Sequence, residues 1–106
     1  MVQLTRENFD EEVTEAAGCV LVDFWSRGCG PCRAMEPVLE AVAAHHPEVK
    51  VAQLNVAEHP DIAWAFQVVS APTLLLFRDG VLAGEIVGAV PRSRIEELLA
   101  TGAVRF

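Results

Sequence analysis

The feature that most constrains the fold is the apolar segment CVLVDFW at residues 19–25. A nearly continuous apolar run of this length is typical of a strand that is covered on both faces. After it, apolar residues recur at helical spacing, which predicts a long helix from Cys32 to His45 or His46 that contains Pro37. A buried strand followed directly by a helix indicates an α/β fold with parallel strand pairing.

The rest of the chain continues this alternation. The further predicted elements are a helix capped by Thr5 and ending near Ala17, a strand at 49–56, a short helix opened by residues 59–61, a hairpin of strands 73–77 and 81–87 around Asp79-Gly80, and a final helix started by Pro91. The predicted order is β-α-β-α-β-α-β-β-α, with an antiparallel hairpin at one edge of the sheet. Trp64 and Phe66 are interpreted as core residues of the short helix.

Length and charge exclude several classes of protein. The 106 residues predict one domain spanning residues 1–106, and 52% hydrophobic content excludes a disordered chain. A net charge of −7 makes nucleic-acid binding unfavourable. No apolar run approaches the roughly 18 residues that span a membrane, and the first residues do not resemble a signal peptide. With only three cysteines, we expect a reducing, cytoplasmic location.

Cys29 and Cys32 form a C-x-x-C pair, which can bind a metal, staple a loop or exchange electrons. With His45 they match part of a zinc-finger spacing, but the next histidine is adjacent, and neighbouring helical side chains point about 100° apart. We therefore expect no metal. A staple closing so short a loop contributes only about 2 kcal/mol, which a domain of this size does not need.

The redox interpretation accounts for more of the neighbouring residues. Cysteines three apart on a helical turn lie about 5–6 Å apart, within the range of a disulfide. Cys29 falls at the helix N-terminus, where the dipole favours the thiolate, and Cys32 lies one turn further in. Cys29 is thus the predicted nucleophile and Cys32 the shielded, resolving cysteine.

Four residues around the pair support this chemistry. Gly30 lets the turn form, and Pro31 fits the first helical turn because its missing N–H does no harm there. Arg27 and Arg33 add positive charge beside the dithiol in an otherwise acidic chain, which favours the thiolate.

Asp23 interrupts the apolar strand. Strand alternation places Asp23 on the same face as Leu21 and Trp25, close to the dithiol end. Burial of a carboxylate without a partner disfavours its charged form, so we expect a raised pKa.

These residues resemble the thioredoxin family in order and spacing over essentially the whole chain. The matching motifs are VDFW at 22–25, CGPC at 29–32, Pro37, APT at 71–73, Phe77 with Asp79-Gly80, and Val87-Gly88. The resemblance implies a central five-stranded mixed sheet flanked by four helices.

The resemblance also implies dithiol–disulfide exchange with protein substrates. In thioredoxins the first cysteine attacks the substrate disulfide and the second releases the reduced product, roles that fall on Cys29 and Cys32. The buried aspartate, matched by Asp23, assists proton transfer to and from the resolving cysteine. The proline matched by Pro72 is cis and faces the dithiol.

The implied substrate groove consists of Trp25, Gly30, Pro31, Ala71, Pro72, Gly88 and Ala89. The implied partners are disulfide-containing proteins and a thioredoxin reductase that supplies electrons. The resemblance implies a monomer with no bound cofactor.

Three residues depart from the pattern or are not explained by it. Gly28 stands where thioredoxins often carry a tryptophan, and Gln53 where they often carry a lysine near the buried aspartate. Cys19 opens the second strand, away from the dithiol, and is interpreted as a packing residue.

The same fold also allows two other functions. The chain could oxidise or isomerise disulfides, depending on its redox potential, or it could be a non-catalytic interaction module.

Overall fold

The computed structural model describes residues 1–102. Its elements are β1 (Val2–Gln3), a π-helical segment (Asp10–Thr14), β2 (Cys19–Trp25), α1 (Gly30–His45), β3 (Val49–Asn55), α2 (Pro60–Ala65), β4 (Thr73–Arg78), β5 (Val81–Val87) and α3 (Arg92–Gly102). The α/β class and the order of elements are as predicted. The expected domain end at residue 106 lies outside the described residues.

The five strands form one mixed sheet in the order β1-β3-β2-β4-β5. β3 pairs in parallel with β1 and β2, whereas β4 pairs antiparallel with β2 and β5. β2 is therefore central, and its residues 20–24 are all buried, which explains their apolar character. In this register Asp23 lies between Gln53 of β3 and Leu74 of β4.

The first helix is shorter than predicted. Thr5 caps the turn ahead of this segment and not the segment itself, whose N-cap residue, Phe9, makes no side-chain capping bond. In that turn Asn8 N donates to Thr5 Oγ1 at 3.3 Å and Thr5 N donates to Asn8 Oδ1 at 2.7 Å. The chain then widens into the π form, in which Glu15 N donates to Asp10 O at 2.7 Å, five residues back. The helix ends at Thr14 instead of continuing to about Ala17. β1, to which the sequence assigned no bounds, has only two residues and is too short to show a pattern.

The sheet separates two apolar layers. Val20, Val22 and Phe24 face the layer that contains the π-helical segment, where Phe9, Phe66 and Phe77 stack edge to face or tilted. Alternate residues of β2 face the other layer, under α1 and α3, whose buried members include Leu21, Met35, Leu39, Val42, Ile95 and Leu98. Since Asp23 shares the face of Leu21, its carboxyl group points toward α1, the helix that carries the dithiol.

The prediction that Trp64 belongs to the core is wrong. Its side chain is 80% exposed, whereas the preceding Ala63 is only 6% exposed. α2 has six residues and buries one narrow stripe, and Trp64 is rotated about 100° from Ala63 around the helix axis. Phe66, just beyond the helix end, does pack against the core as predicted.

Candidate active site

The two cysteines lie at the N-terminus of α1. Cys29 is the N-cap residue with extended backbone (φ −96°, ψ 107°), and its Sγ accepts a hydrogen bond from Cys32 N at 3.1 Å. Gly30 and Pro31 are the first two helical residues, as the spacing predicts. Cys29 and Cys32 are joined in a disulfide with Cα atoms 5.2 Å apart. Cys32 is 6% exposed and Cys29 is partly exposed, so the first cysteine is the more accessible of the two to an incoming group.

A second segment, at the start of β4, faces the dithiol. The Ala71–Pro72 peptide bond is cis, as the resemblance implies. The Ala71 carbonyl oxygen lies 3.6 Å from Cys29 Sγ, and Gly88 N donates to the Pro72 carbonyl at 2.8 Å. Gly88 has φ +92°, in the left-handed region that favours glycine, and exposed Ala89 follows it. The structure therefore brings Cys29, Ala71, Pro72 and Gly88 together, although they lie far apart in sequence.

Asp23 is 1% exposed in the middle of β2. Its Oδ1 has no hydrogen-bond partner within residues 1–102. Burial raises the pKa of Asp23 from 3.8 to about 6, the Gln53 side chain opposes this rise, and the charge of Glu36 adds to it. The prediction of a buried carboxyl group with a raised pKa is confirmed.

Gln53 lies directly beside Asp23 in the strand register and is 8% exposed. Gln3, its partner in β1, donates from Nε2 to Gln53 Oε1 at 2.8 Å. This bond occupies the carbonyl oxygen of the Gln53 amide and leaves its NH₂ group as the part available to Asp23. The contribution of Gln3 leaves no signal in the sequence, because two residues are too few to show the pattern of a strand.

A pocket of about 230 Å³ connects Asp23 with the dithiol. Both cysteines line it, as do Trp25, Gly28 and Glu36. Glu36 was missed in the sequence, although it lies four residues after Cys32 on α1 and therefore on the same helical face. Trp25 is partly buried, and its indole Nε1 has no hydrogen-bond partner among residues 1–102.

Other sequence features fall away from this site. Cys19 is a free, partly buried cysteine that packs against the layer under α1 and α3. His45 and His46 contact the Ala41 carbonyl and the Glu96 carboxylate, respectively. In residues 1–102, no three His, Cys, Asp or Glu side chains are grouped to hold a metal ion. No helix in this part of the chain is both long and apolar enough to cross a membrane.

A disulfide at a helix N-terminus, facing a cis-proline and adjoining a buried carboxyl group, defines the chain as a dithiol–disulfide exchange protein. Comparison with known proteins agrees. The thioredoxin family model matches residues 1–101. The chain is 45% identical over 98 residues to the thioredoxin of Alicyclobacillus acidocaldarius, covering 92% of each chain. It is also 40% identical over 97 residues to thioredoxin 1 of Synechococcus elongatus, covering 91% of each. The chain belongs to the thioredoxin family, whose members are disulfide oxidoreductases.

Proposed function

We propose that the chain reduces disulfide bonds of protein substrates through Cys29 and Cys32. The observation that carries this proposal is the position of the disulfide, which closes one helical turn at the start of α1 and leaves its first cysteine more exposed than its second. Such a pair can open and close with little backbone movement. The orphan N–H groups and the dipole at the helix N-terminus favour the thiolate of Cys29.

The reaction proceeds in two exchanges. The Cys29 thiolate attacks a substrate disulfide, one substrate sulfur leaves as a thiolate, and a mixed disulfide with Cys29 forms. Cys32 then attacks Cys29 Sγ, which releases the second substrate thiolate and regenerates the Cys29–Cys32 disulfide. Two electrons pass from the protein dithiol to the substrate, which takes up two protons as its thiolates become thiols.

Asp23 is the group suited to accept the Cys32 proton before the second exchange. It lines the same pocket as Cys32, and its pKa of about 6 keeps a carboxylate available at neutral pH while allowing reprotonation in mildly acidic solution. The charge of Glu36 in the same pocket wall also disfavours a permanent charge on Asp23.

The substrate chain would lie across the cis Ala71–Pro72 bond and the neighbouring Gly88-Ala89 segment. This placement is supported by the 3.6 Å separation between Cys29 Sγ and the Ala71 carbonyl, which puts the attacked disulfide beside this segment. Trp25, Gly30 and Pro31 would complete the groove on the α1 side.

The proposed physiological setting follows from the reaction. A reductant must be recharged, and we propose a thioredoxin reductase as the electron donor, with no cofactor bound to this chain itself. The chain would then act as a monomer in electron transport and redox homeostasis in the cytoplasm, where protein thiols stay reduced.

An insulin reduction assay with dithiothreitol tests the proposal. The natural protein should accelerate precipitation of the reduced insulin chains, and Cys29→Ser should not. Pre-reduced Cys32→Ser, mixed with insulin after the dithiothreitol has been removed, should instead accumulate a mixed disulfide through Cys29, detectable by mass. Equal turbidity with natural protein and Cys29→Ser would refute the catalytic role. A reduction potential of about −270 mV fits a reductant, whereas one of about −120 mV would make the chain an oxidant.

A further inference from the structure

The pocket beside the dithiol has an open wall at Gly28. This residue has φ +71°, and a Cβ built there would meet no atom within 4 Å. The wall at this position consists of backbone alone, so the pocket opens next to Cys29 instead of being covered by a side chain. Its volume of about 230 Å³ is below the roughly 300 Å³ at which drug-sized ligand sites begin. The pocket is therefore suited to one arm of a small molecule.

The charges at this pocket are unusual for the chain. Arg27 and Arg33 both line it, both are exposed, and neither forms a salt bridge within residues 1–102. Most of the other described basic residues are paired with carboxylates, namely Arg6, Lys50, Arg92 and Arg94. Glu36 supplies the one exposed carboxylate of the pocket wall. On a chain of net charge −7, two available guanidinium groups thus flank the dithiol.

Two buried polar atoms of pocket residues also lack partners. Asp23 Oδ1, on a side chain that is 1% exposed, and Trp25 Nε1 make no hydrogen bond within the described residues. Buried polar groups are normally paired with protein, water or ligand. The pocket therefore offers hydrogen-bonding groups inside and cationic groups at its exposed residues, next to a sulfur that can exchange.

We propose that this pocket binds one arm of a low-molecular-weight disulfide that carries carboxylates, held by Arg27 and Arg33 while its sulfur meets Cys29. Guanidinium groups bind carboxylates in a planar, two-point geometry, which favours this class over neutral or cationic disulfides. The inference rests on the proposed function, because it uses the same dithiol and adds a second class of substrate.

The reduction of a small disulfide uses the same two exchanges as the reduction of a protein disulfide. The Cys29 thiolate attacks R–S–S–R, the S–S bond of the small molecule breaks, and one R–S⁻ leaves. Cys32 attacks the Cys29–S–S–R intermediate, the second R–S⁻ leaves, and the Cys29–Cys32 disulfide re-forms. The small disulfide gains two electrons and two protons, all of them supplied by the reduced dithiol and solvent.

Single-turnover kinetics of the pre-reduced protein test the preference for anionic disulfides. The probes are the disulfides of 3-mercaptopropionate, 2-mercaptoethanol and 2-aminoethanethiol, which are similar in size and are anionic, neutral and cationic. Oxidation is followed by the change in tryptophan fluorescence, to which Trp25 in the pocket and the exposed Trp64 both contribute. Each rate is divided by the rate of dithiothreitol with the same disulfide, which removes the intrinsic reactivity of the probe.

The corrected rate with the anionic probe should exceed the corrected rate with the cationic probe by about tenfold, since each exposed ion pair contributes a few-fold to the rate. The double variant Arg27→Gln/Arg33→Gln should reduce this ratio of anionic to cationic rates to less than about two. A salt concentration of about 1 M, where the Debye length is about 3 Å, should do the same. Glu36→Gln should raise the ratio. Any general change in dithiol reactivity caused by the variants cancels, because it affects all three probes.

Gly28→Asn provides a second variant, since asparagine tolerates the left-handed backbone and places a side chain at the open wall. It should slow the anionic probe more than it slows insulin reduction. If the natural protein reduces insulin but treats the three probes alike, or keeps its preference without the arginines, the inference is wrong and the proposed function stands. If the natural protein reduces neither insulin nor any probe, the proposed function itself is wrong.

Discussion

Replacement of Asp23 by asparagine should stabilise the oxidised protein at neutral pH. Burial raises the pKa of this carboxyl group from 3.8 to about 6, a rise of roughly two units. Each unit corresponds to about 1.4 kcal/mol, so the charged form costs the folded state about 3 kcal/mol. Asparagine keeps the shape of the side chain and cannot ionise, although its NH₂ group replaces one carboxyl oxygen.

The effect has a defined pH dependence. Because the folded state holds the Asp23 proton more tightly than the unfolded state, the natural protein loses stability as pH rises from about 3.8 to about 6. The cost is absent below this window and fully present above it. The difference in unfolding free energy between Asp23→Asn and the natural protein should therefore grow by about 3 kcal/mol between pH 3.5 and pH 7.5.

Urea denaturation of both oxidised proteins at several pH values measures this difference. Other titrating groups, such as His46 with its raised pKa and Glu96 with its lowered one, are common to both proteins and cancel. The m-values should agree, since the same surface is exposed on unfolding. Parallel stability curves over the whole range would show that Asp23 ionises as freely as in the unfolded chain, and the reasoning from burial would fail.

Three further predictions concern single residues. Gln53→Lys should lower the pKa of Asp23 by about one to three units through the added cation and shift the pH–rate profile of disulfide reduction to lower pH; superimposable profiles would contradict it. Trp64→Gln should change the unfolding free energy by less than about 0.5 kcal/mol because the side chain is 80% exposed, whereas Phe66→Ala should cost about 2–3 kcal/mol in the same urea titration. Cys19→Ser should leave insulin reduction unchanged, and a clear loss of rate would show that this thiol is more than a packing residue.

The order of elements was predictable from the sequence because most of its signals are local. β2 is an apolar run, α1 repeats its apolar residues at helical spacing, and Asp79-Gly80 marks the hairpin turn. The predicted length of the helix ahead of β2 was too great because the apolar pattern does not show the change from α to π hydrogen bonding at residues 10–14.

The candidate site was predictable only in part. The buried position of Asp23 followed from its apolar neighbours in one strand. The approach of the Ala71 carbonyl to Cys29 depends on how β4 lies beside β2, which no local pattern contains, so the resemblance to a family had to supply it. Trp64 was misplaced because a helix of six residues is too short for its apolar residues to define a buried face.

The bond between Gln3 and Gln53 connects the surroundings of Asp23 to the shortest strand of the sheet. β1 has two residues and lies at the sheet edge, so few hydrogen bonds hold it in place against native-state fluctuations. Any opening of β1 would remove the hydrogen bond that fixes the orientation of the Gln53 amide beside Asp23. A change that disturbs residues 2–3 would therefore alter the protonation of a carboxyl group two strands away, although neither residue lines the pocket.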